Sequence, residues 1–344
     1  MIHRELVVVG TSAGGIEALQ RLLRSLPSNF DATLLIVLHT SSHGGSLLPE
    51  IFQRASWMPV THPADGEVIR KKHVYVAPPD FHMIVEGNLL RVIQGPRENL
   101  HRPAIDPLFR SAAASWGRKV IGVILTGLLD DGTSGLMVVR AQGGAAIVQD
   151  PATAMFSSMP ESALEQVPDA QVLPLSGIPG ALQALLGEPL AEDEPAANGG
   201  GALQAQLEKE TKYAEFSMRE IENEHRSGRP SPFACPDCGG VLWELGDKSF
   251  LRFRCRVGHA FTARHLGAEQ RQAIETALWS ALRALEESAS LNRILASRAA
   301  GQGHLAASRR FEERIVNIDE NARVLRDFLL RVNQEDDRFA EEQV

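Results

Sequence analysis

The stretch from Glu5 to Gly15 reads ELVVVGTSAGG. A Val-rich run of strand length ends in Gly10, and from Ile16 to Leu26 apolar residues recur at helical spacing (Ile16, Leu19, Leu22, Leu23, Leu26). Between strand and helix stands Ser12, flanked by Gly10, Gly14 and Gly15. A sharp strand-to-helix turn needs backbone angles and close approaches that glycine permits. It also exposes the serine hydroxyl beside a helix N-terminus, where developing negative charge is favoured. The stretch fits the G-x-S-x-G pattern of a nucleophile elbow. By itself the turn equally suits a dinucleotide pyrophosphate. Against that reading, the spacing is not G-x-G-x-x-G, and the second strand ends in His39 instead of an acid.

Working outward, Thr33–Leu38, Val120–Thr126 and Ala145–Gln149 are further apolar, β-branched runs, with amphipathic segments between them. Continuous apolar strands alternating with helices predict an α/β fold with a doubly wound, mostly parallel sheet covered on both faces. Val68–Val92 reads as shorter strands with turns at Pro78-Pro79-Asp80 and Gly87-Asn88, including a hairpin. The expected organisation is a catalytic domain over 1–188, a Gly-, Pro-, Ala- and acid-rich linker over 189–202, and a charged helix over 203–229. A cysteine module over 230–263 and a helical hairpin or coiled coil over 264–340 follow.

A serine nucleophile needs a base, and the base an orienting acid. His39 follows the strand Thr33–Leu38, and Asp131 follows Val120–Thr126 in LTGLLDDG. All three candidates, Ser12, His39 and Asp131, therefore fall at carboxyl ends of predicted parallel strands, the edge where open α/β sheets build their sites. The order Ser, His, Asp differs from the Ser, Asp, His order of α/β-hydrolases. A histidine at a strand end also suits a surface position, and an Asp before Gly suits a turn or cap. Asp130, next to Asp131, is a second candidate for the acid.

Residues 4 to about 186 resemble the catalytic domain of chemotaxis protein-glutamate methylesterases of the CheB type. The resemblance is carried, in order, by VVVGTSAGG, IVLHT, VYVAPPDFHM, HRPAIDPLFRSAA, VIGVILTGLLDDGTSGL and AIVQDPATAMFSSMP. It implies a doubly wound parallel sheet and hydrolysis of glutamyl methyl esters on chemoreceptors or related signalling proteins, with glutamine deamidation as a companion activity. It implies no catalytic cofactor, with Ser12 as nucleophile, His39 as base and Asp131 as acid. The chain departs from the family pattern at Ala13, where a threonine is usual, and at Leu128 and Leu129 in the acid loop. Arg102 reads either as a contact for an acidic receptor surface or as a solvated loop cation. His43, His62, His73, His82 and His101 show no catalytic pattern and read as structural or exposed. Because the first strand begins almost at Met1, no room is expected for a preceding receiver domain, and control is expected in trans or in the C-terminal region.

The three cysteines all lie between Cys235 and Cys255. With His259 they make C-x2-C-x16-C-x3-H across CPDCGG and RCRVGH, with Val241–Arg254 as a hairpin turning at Gly246-Asp247. That spacing predicts a structural zinc held by Cys235, Cys238, Cys255 and His259 in a zinc-ribbon-like module. A redox C-x-x-C is the rival reading, and it leaves Cys255 and His259 unexplained. Beyond it, Phe311, Ile315, Ile318, Ala322, Leu325, Leu329 and Val332 form a heptad seam opposed by Ile274, Leu278, Leu282, Leu285 and Ala289. Gly301-Gln302-Gly303 separates the two. An antiparallel hairpin is the simplest form and a dimeric coiled coil its rival, suited to self-association or to docking a receptor or kinase. A net charge of −8 argues against nucleic acid as a partner. The absence of a signal sequence or long apolar run argues for the cytoplasm and against membrane insertion. Competing functions are a signalling adaptor with an idle hydrolase domain and a hydrolase of some other ester or amide.

Overall fold

Side chains alternate across a strand, and here both sets are apolar, so the sheet is sandwiched. In the computed structural model, which describes residues 3–39, 46–190, 228–245 and 250–341, β1 (Leu6–Thr11) lies between β2 (Thr33–Leu38) and β8 (Val120–Ile124), parallel to both. The sheet extends through β5 (Val74–Val76) to β3 (Val60–Thr61) on one side. On the other it runs through β9 (Ala145–Gln149) to β10 (Gln171–Leu173). Val7, Val9, Leu34, Ile36, Ile121 and Val123 pack towards α1 (Gly15–Ser25), α2 (Leu48–Gln53) and α6 (Ile178–Gly187). Their neighbours Leu6, Val8, Leu35, Val37, Val120 and Ile124 pack towards α3 (Ile105–Trp116), α4 (Thr133–Ala141) and α5 (Ser158–Gln166). Each such side chain removed from water contributes about 1.5–3 kcal/mol.

The chain builds the sheet outward from β1 in one direction, then returns to β8 and builds in the other. The switch point therefore lies between β1 and β8, where the following loops diverge and leave a crevice at the strands' carboxyl ends. The doubly wound parallel sheet expected from the sequence is the observed one. A smaller antiparallel sheet, β4 (Glu67–Val68), β7 (Leu89–Ile93) and β6 (His82–Glu86), carries the expected hairpin, with β6 packed against α3.

A third, four-stranded antiparallel sheet is made by β11 (Arg229–Ala234), β12 (Val241–Leu245), β13 (Arg252–Cys255) and β14 (Ala260–Thr262). Its core is Cys235, Leu242, Phe253, Cys255, Phe261 and Leu266. It belongs to the same compact unit as the parallel sheet, which runs to Leu266. The second unit consists of α7 (Ala263–Gly301) from Gly267 onward and α8 (Leu305–Glu341). These two helices pair antiparallel, with Arg293 on Asp319 and Arg326 on Glu286 flanking a core of Leu282, Ala322 and Leu329. The expected linker from 191, most of the helix over 203–229 and the turn at Gly246-Asp247 lie outside the described residues. Among the described residues no helix is long and apolar enough to cross a membrane.

Gly10 is where β1 passes beneath the start of α3: a Cβ there would collide with Ile105 Cγ2. Gly10→Ala is expected to destabilise the chain by about 1–3 kcal/mol through overpacking. The check is a lowered urea midpoint with unchanged slope.

Candidate active site

Ser12 follows the last residue of β1, and the chain then turns through Gly14, φ 73°, into α1. The turn is fastened to the end of β8 by threonines. Thr11 Oγ1 donates to Thr126 O at 2.8 Å, Ser12 N–H to the same carbonyl at 3.1 Å, and Thr126 Oγ1 to Ala13 O at 3.1 Å. Gly127 lies so near that a Cβ would come within 3.0 Å of Ser12 Cβ. The peptide joining Gly127 to Leu128 therefore flanks the serine. The next residue but one, Leu129, is held at φ 62°, its N–H bonded to Ser158 Oγ.

His39 stands one residue beyond β2, its N–H bonded to Thr11 O at 3.2 Å. Its ring spans the switch point: Nδ1 is 3.1 Å from Ser12 Oγ and Nε2 is 2.7 Å from Asp131 Oδ2. The carboxylate accepts the Nε2–H hydrogen bond and so keeps the proton on Nε2, which leaves the Nδ1 lone pair facing the hydroxyl. The ring is turned end for end relative to the familiar serine-protease arrangement, and the logic of the tautomer is the same.

Asp131 is fully buried, yet its two oxygens are surrounded by donors. Oδ2 also accepts Ile105 N–H at 2.7 Å, and Oδ1 accepts Asn99 Nδ2 at 2.8 Å, Gly132 N–H at 3.0 Å and Asp106 N–H at 3.3 Å. Ile105 and Asp106 open α3, whose own cap, Ala104, has no side-chain hydrogen bond. The carboxylate of a distant loop thus caps that helix and draws on its dipole. Burial pushes the Asp131 carboxyl up, but hydrogen bonds from His39 and the other donors outweigh it and hold the group well below the usual carboxylate range.

The adjacent carboxylate, Asp130, points away from His39. It accepts Thr262 Oγ1 at 2.7 Å and pairs with His265 Nδ1 at 2.7 Å. Two further residues had no catalytic pattern in the sequence. The His101 ring stacks on His39 with centroids 3.6 Å apart, and burial, with His39 beside it, pushes its pKa down to about 3. Asn99 bridges Asp131 and Asp106. The sequence offered no signal for either beyond His101 opening the HRPAID stretch and Asn99 standing two residues before it. The structure corrects the reading of Arg102: its guanidinium is spent on Asp80, at 2.7 and 3.0 Å, and on Gly95 O at 2.7 Å, so it is neither a free receptor contact nor a solvated cation. His82 is buried between Pro96 O and Ala104 N–H, and His62 and His73 are tied within their own sheet. His43 lies outside the described residues.

The four metal-ligand candidates also converge. Cys235, Cys238, Cys255 and His259 offer atoms that all lie within 4.8 Å of one another. Cys238 Sγ is 3.7 Å from Cys255 Sγ, and His259 Nδ1 is 3.6 Å from Cys235 Sγ and 3.5 Å from Cys255 Sγ. Two tight turns aim them inward, with Gly239 N–H on Cys235 O and Gly258 N–H on Cys255 O. Tetrahedral zinc with bonds of about 2.3 Å to sulfur and about 2.0 Å to nitrogen has ligand–ligand edges of about 3.5–3.8 Å. The donor set and its spacing fit such an ion.

The chain is similar to proteins of a known family. Residues 7–182 match the model of the CheB methylesterase family. A relative from Leptospira interrogans, provisionally named protein-glutamate methylesterase/protein-glutamine glutaminase, is 38% identical over 178 residues, covering 52% of this chain and 92% of the relative. One of that name from Anaeromyxobacter dehalogenans is 36% identical over 181 residues, and the match spans about half of each chain, 53% in both. The crystal structure of the Thermotoga maritima CheB methylesterase catalytic domain matches with a TM-score of 0.51 at 33% identity, covering 54% of this chain and all of that one.

Asp106 makes a pH test. Burial, and after it the charge of Asp131, pushes its carboxyl up to about 8. The unfolded chain releases this proton near the ordinary value of about 4, so over the interval the folded state binds more protons. Its stabilising contribution is complete on the acid side and is lost as pH rises through about 8. The stability difference between wild type and Asp106→Ser, read from urea midpoints, is expected to shrink from about pH 6 to about pH 9.

Proposed function

The chain belongs to the CheB methylesterase family, and from that premise we propose that it is a protein-glutamate methylesterase working through Ser12, His39 and Asp131. The observation that carries the reading is the unbroken hydrogen-bonded path from Ser12 Oγ through both His39 nitrogens to Asp131. His39 Nδ1 takes the hydroxyl proton as Ser12 Oγ attacks the ester carbonyl. Collapse of the tetrahedral intermediate expels methanol, which receives the proton back from His39. Water, activated by the same nitrogen, then releases the glutamate carboxylate and regenerates Ser12. Asp131 stays ionised and stabilises the imidazolium. The Leu128 N–H, beside the serine, is the backbone donor assigned to the oxyanion.

Relatives named for both methylesterase and glutaminase activities support glutamine deamidation by the same acyl-enzyme, with ammonia leaving in place of methanol. The substrate assigned is a methylated chemoreceptor or related signalling protein in the cytoplasm, a compartment suited to three cysteines that form no disulfide with one another. Docking of a receptor or kinase, or self-association, is assigned to the helical hairpin. No role is assigned to nucleic acid, to membrane insertion or to a catalytic cofactor.

A structural zinc is assigned to Cys235, Cys238, Cys255 and His259. Four protein ligands leave no open position, so such an ion supplies folding energy to the module and no chemistry to the ester.

Two outcomes are expected. Ser12→Ala should reduce methanol release from methylated receptor membranes by about a thousandfold or more while the melting curve stays in place; near-normal release would overturn the esterase reading. Purified protein should carry about one equivalent of zinc that Cys235→Ser removes. A metal-free chain whose module is protected from hydrogen exchange would overturn the zinc reading.

A further inference from the structure

The turn Glu98-Asn99-Leu100-His101 supplies two of the groups that hold the triad, and it is strained. Asn99 and Leu100 have φ of 50° and 69°, with Glu98 and His101 exchanging backbone hydrogen bonds at 3.3 and 3.0 Å. Two successive left-handed residues define a tight primed turn. Asparagine tolerates that region, whereas a leucine is held there against the steric preference of its side chain. Such a conformation persists when surrounding structure over-determines it.

What surrounds it is the cysteine module. Asn99 N–H donates to Ala260 O at 2.8 Å, and Ala260 N–H donates to Arg97 O at 3.2 Å. Thr262 N–H donates to Asn99 Oδ1 at 3.0 Å, which fixes the amide so that its Nδ2 faces Asp131. Leu100 packs against the module's apolar core. Arg254, one residue from Cys255, reaches Glu98, which Arg110 also pairs with at 2.9 Å, all three buried. His265 meets the edge of His101 at 6.2 Å, and with Thr262 it holds Asp130, the residue before Asp131.

We propose that the cysteine module is a positioning element of the active site: it grips the 97–101 turn and Asp130 so that Asn99 and His101 hold Asp131 and His39 in register with Ser12. Asn99, His101, Thr262 and His265 touch no reacting atom and act through the triad. The proposal rests on the triad working as described above. It does not depend on which ion, if any, the module holds.

The test uses the full-length chain and two variants that leave the triad and the metal ligands intact. His265→Ala removes the ring behind His101 and one partner of Asp130. Leu100→Ala loosens the turn from the module and touches neither carboxylate, and it decides the matter if His265→Ala fails to fold. Three readouts are taken: kcat and KM on a methyl-ester substrate, the acidic limb of the pH profile, and the low-field NMR resonance of the proton between His39 and Asp131. Both variants are expected to lower kcat about tenfold or more with KM nearly unchanged, to displace the acidic limb, and to shift or broaden the resonance. His265→Asn, which keeps an amide donor for Asp130, should recover part of the loss. Folded variants with the wild-type resonance and pH profile would overturn the proposal, whatever their kcat. If the wild-type chain hydrolyses no ester, the esterase reading fails, and the resonance alone still decides this one.

Discussion

A buried carboxylate, Asp131, is the constraint around which the site is built. An ionised group removed from water is costly unless its lone pairs are filled. Here the donors come from four separate places: His39 after β2, Ile105 and Asp106 at the start of α3, Asn99 in its turn, and Gly132 at the start of α4. Charge-assisted hydrogen bonds contribute about 1.5–3 kcal/mol each, and losing any one leaves the charge less compensated. The helix start, the turn and both strand ends therefore have to be in place together. The parallel sheet does this by bringing β1, β2 and β8 side by side in register.

Much of this was legible in the sequence because it is local. The Gly-rich turn at Ser12, the apolar runs that became β2, β8 and β9, and the C-x2-C turn each follow from residues within a dozen positions of one another. So does the placement of His39 and Asp131 at strand ends. What was not legible is pairing across long separations. Asp130 and Asp131 are indistinguishable as letters, and only the fold turns one towards His39 and the other towards Thr262 and His265. Arg102 is bound to Asp80, twenty-two positions away, and nothing in either neighbourhood announces the pair. His101 had no spacing signature because its contact is a ring stack, which depends on the tightness of the turn it closes.

The cysteine module, expected over 230–263 after a linker and a helix, lies in the same compact unit as the parallel sheet, and Glu98 is one of the residues that join them. Glu98 is buried between two guanidiniums, Arg110 from α3 and Arg254 from β13, the latter next to a metal-ligand candidate. The turn that Glu98 opens is thereby tied to both the parallel-sheet region and the module. From that turn Asn99 accepts Thr262 N–H on its Oδ1 and donates its Nδ2 to Asp131. Asp106, beside it, adds no second negative charge there while burial and the charge of Asp131 favour its protonated form. The ionised Asp131 is what gives His39 its tautomer. The dependence runs from the cysteine module through the 97–101 turn and its asparagine to the lone pair that faces Ser12.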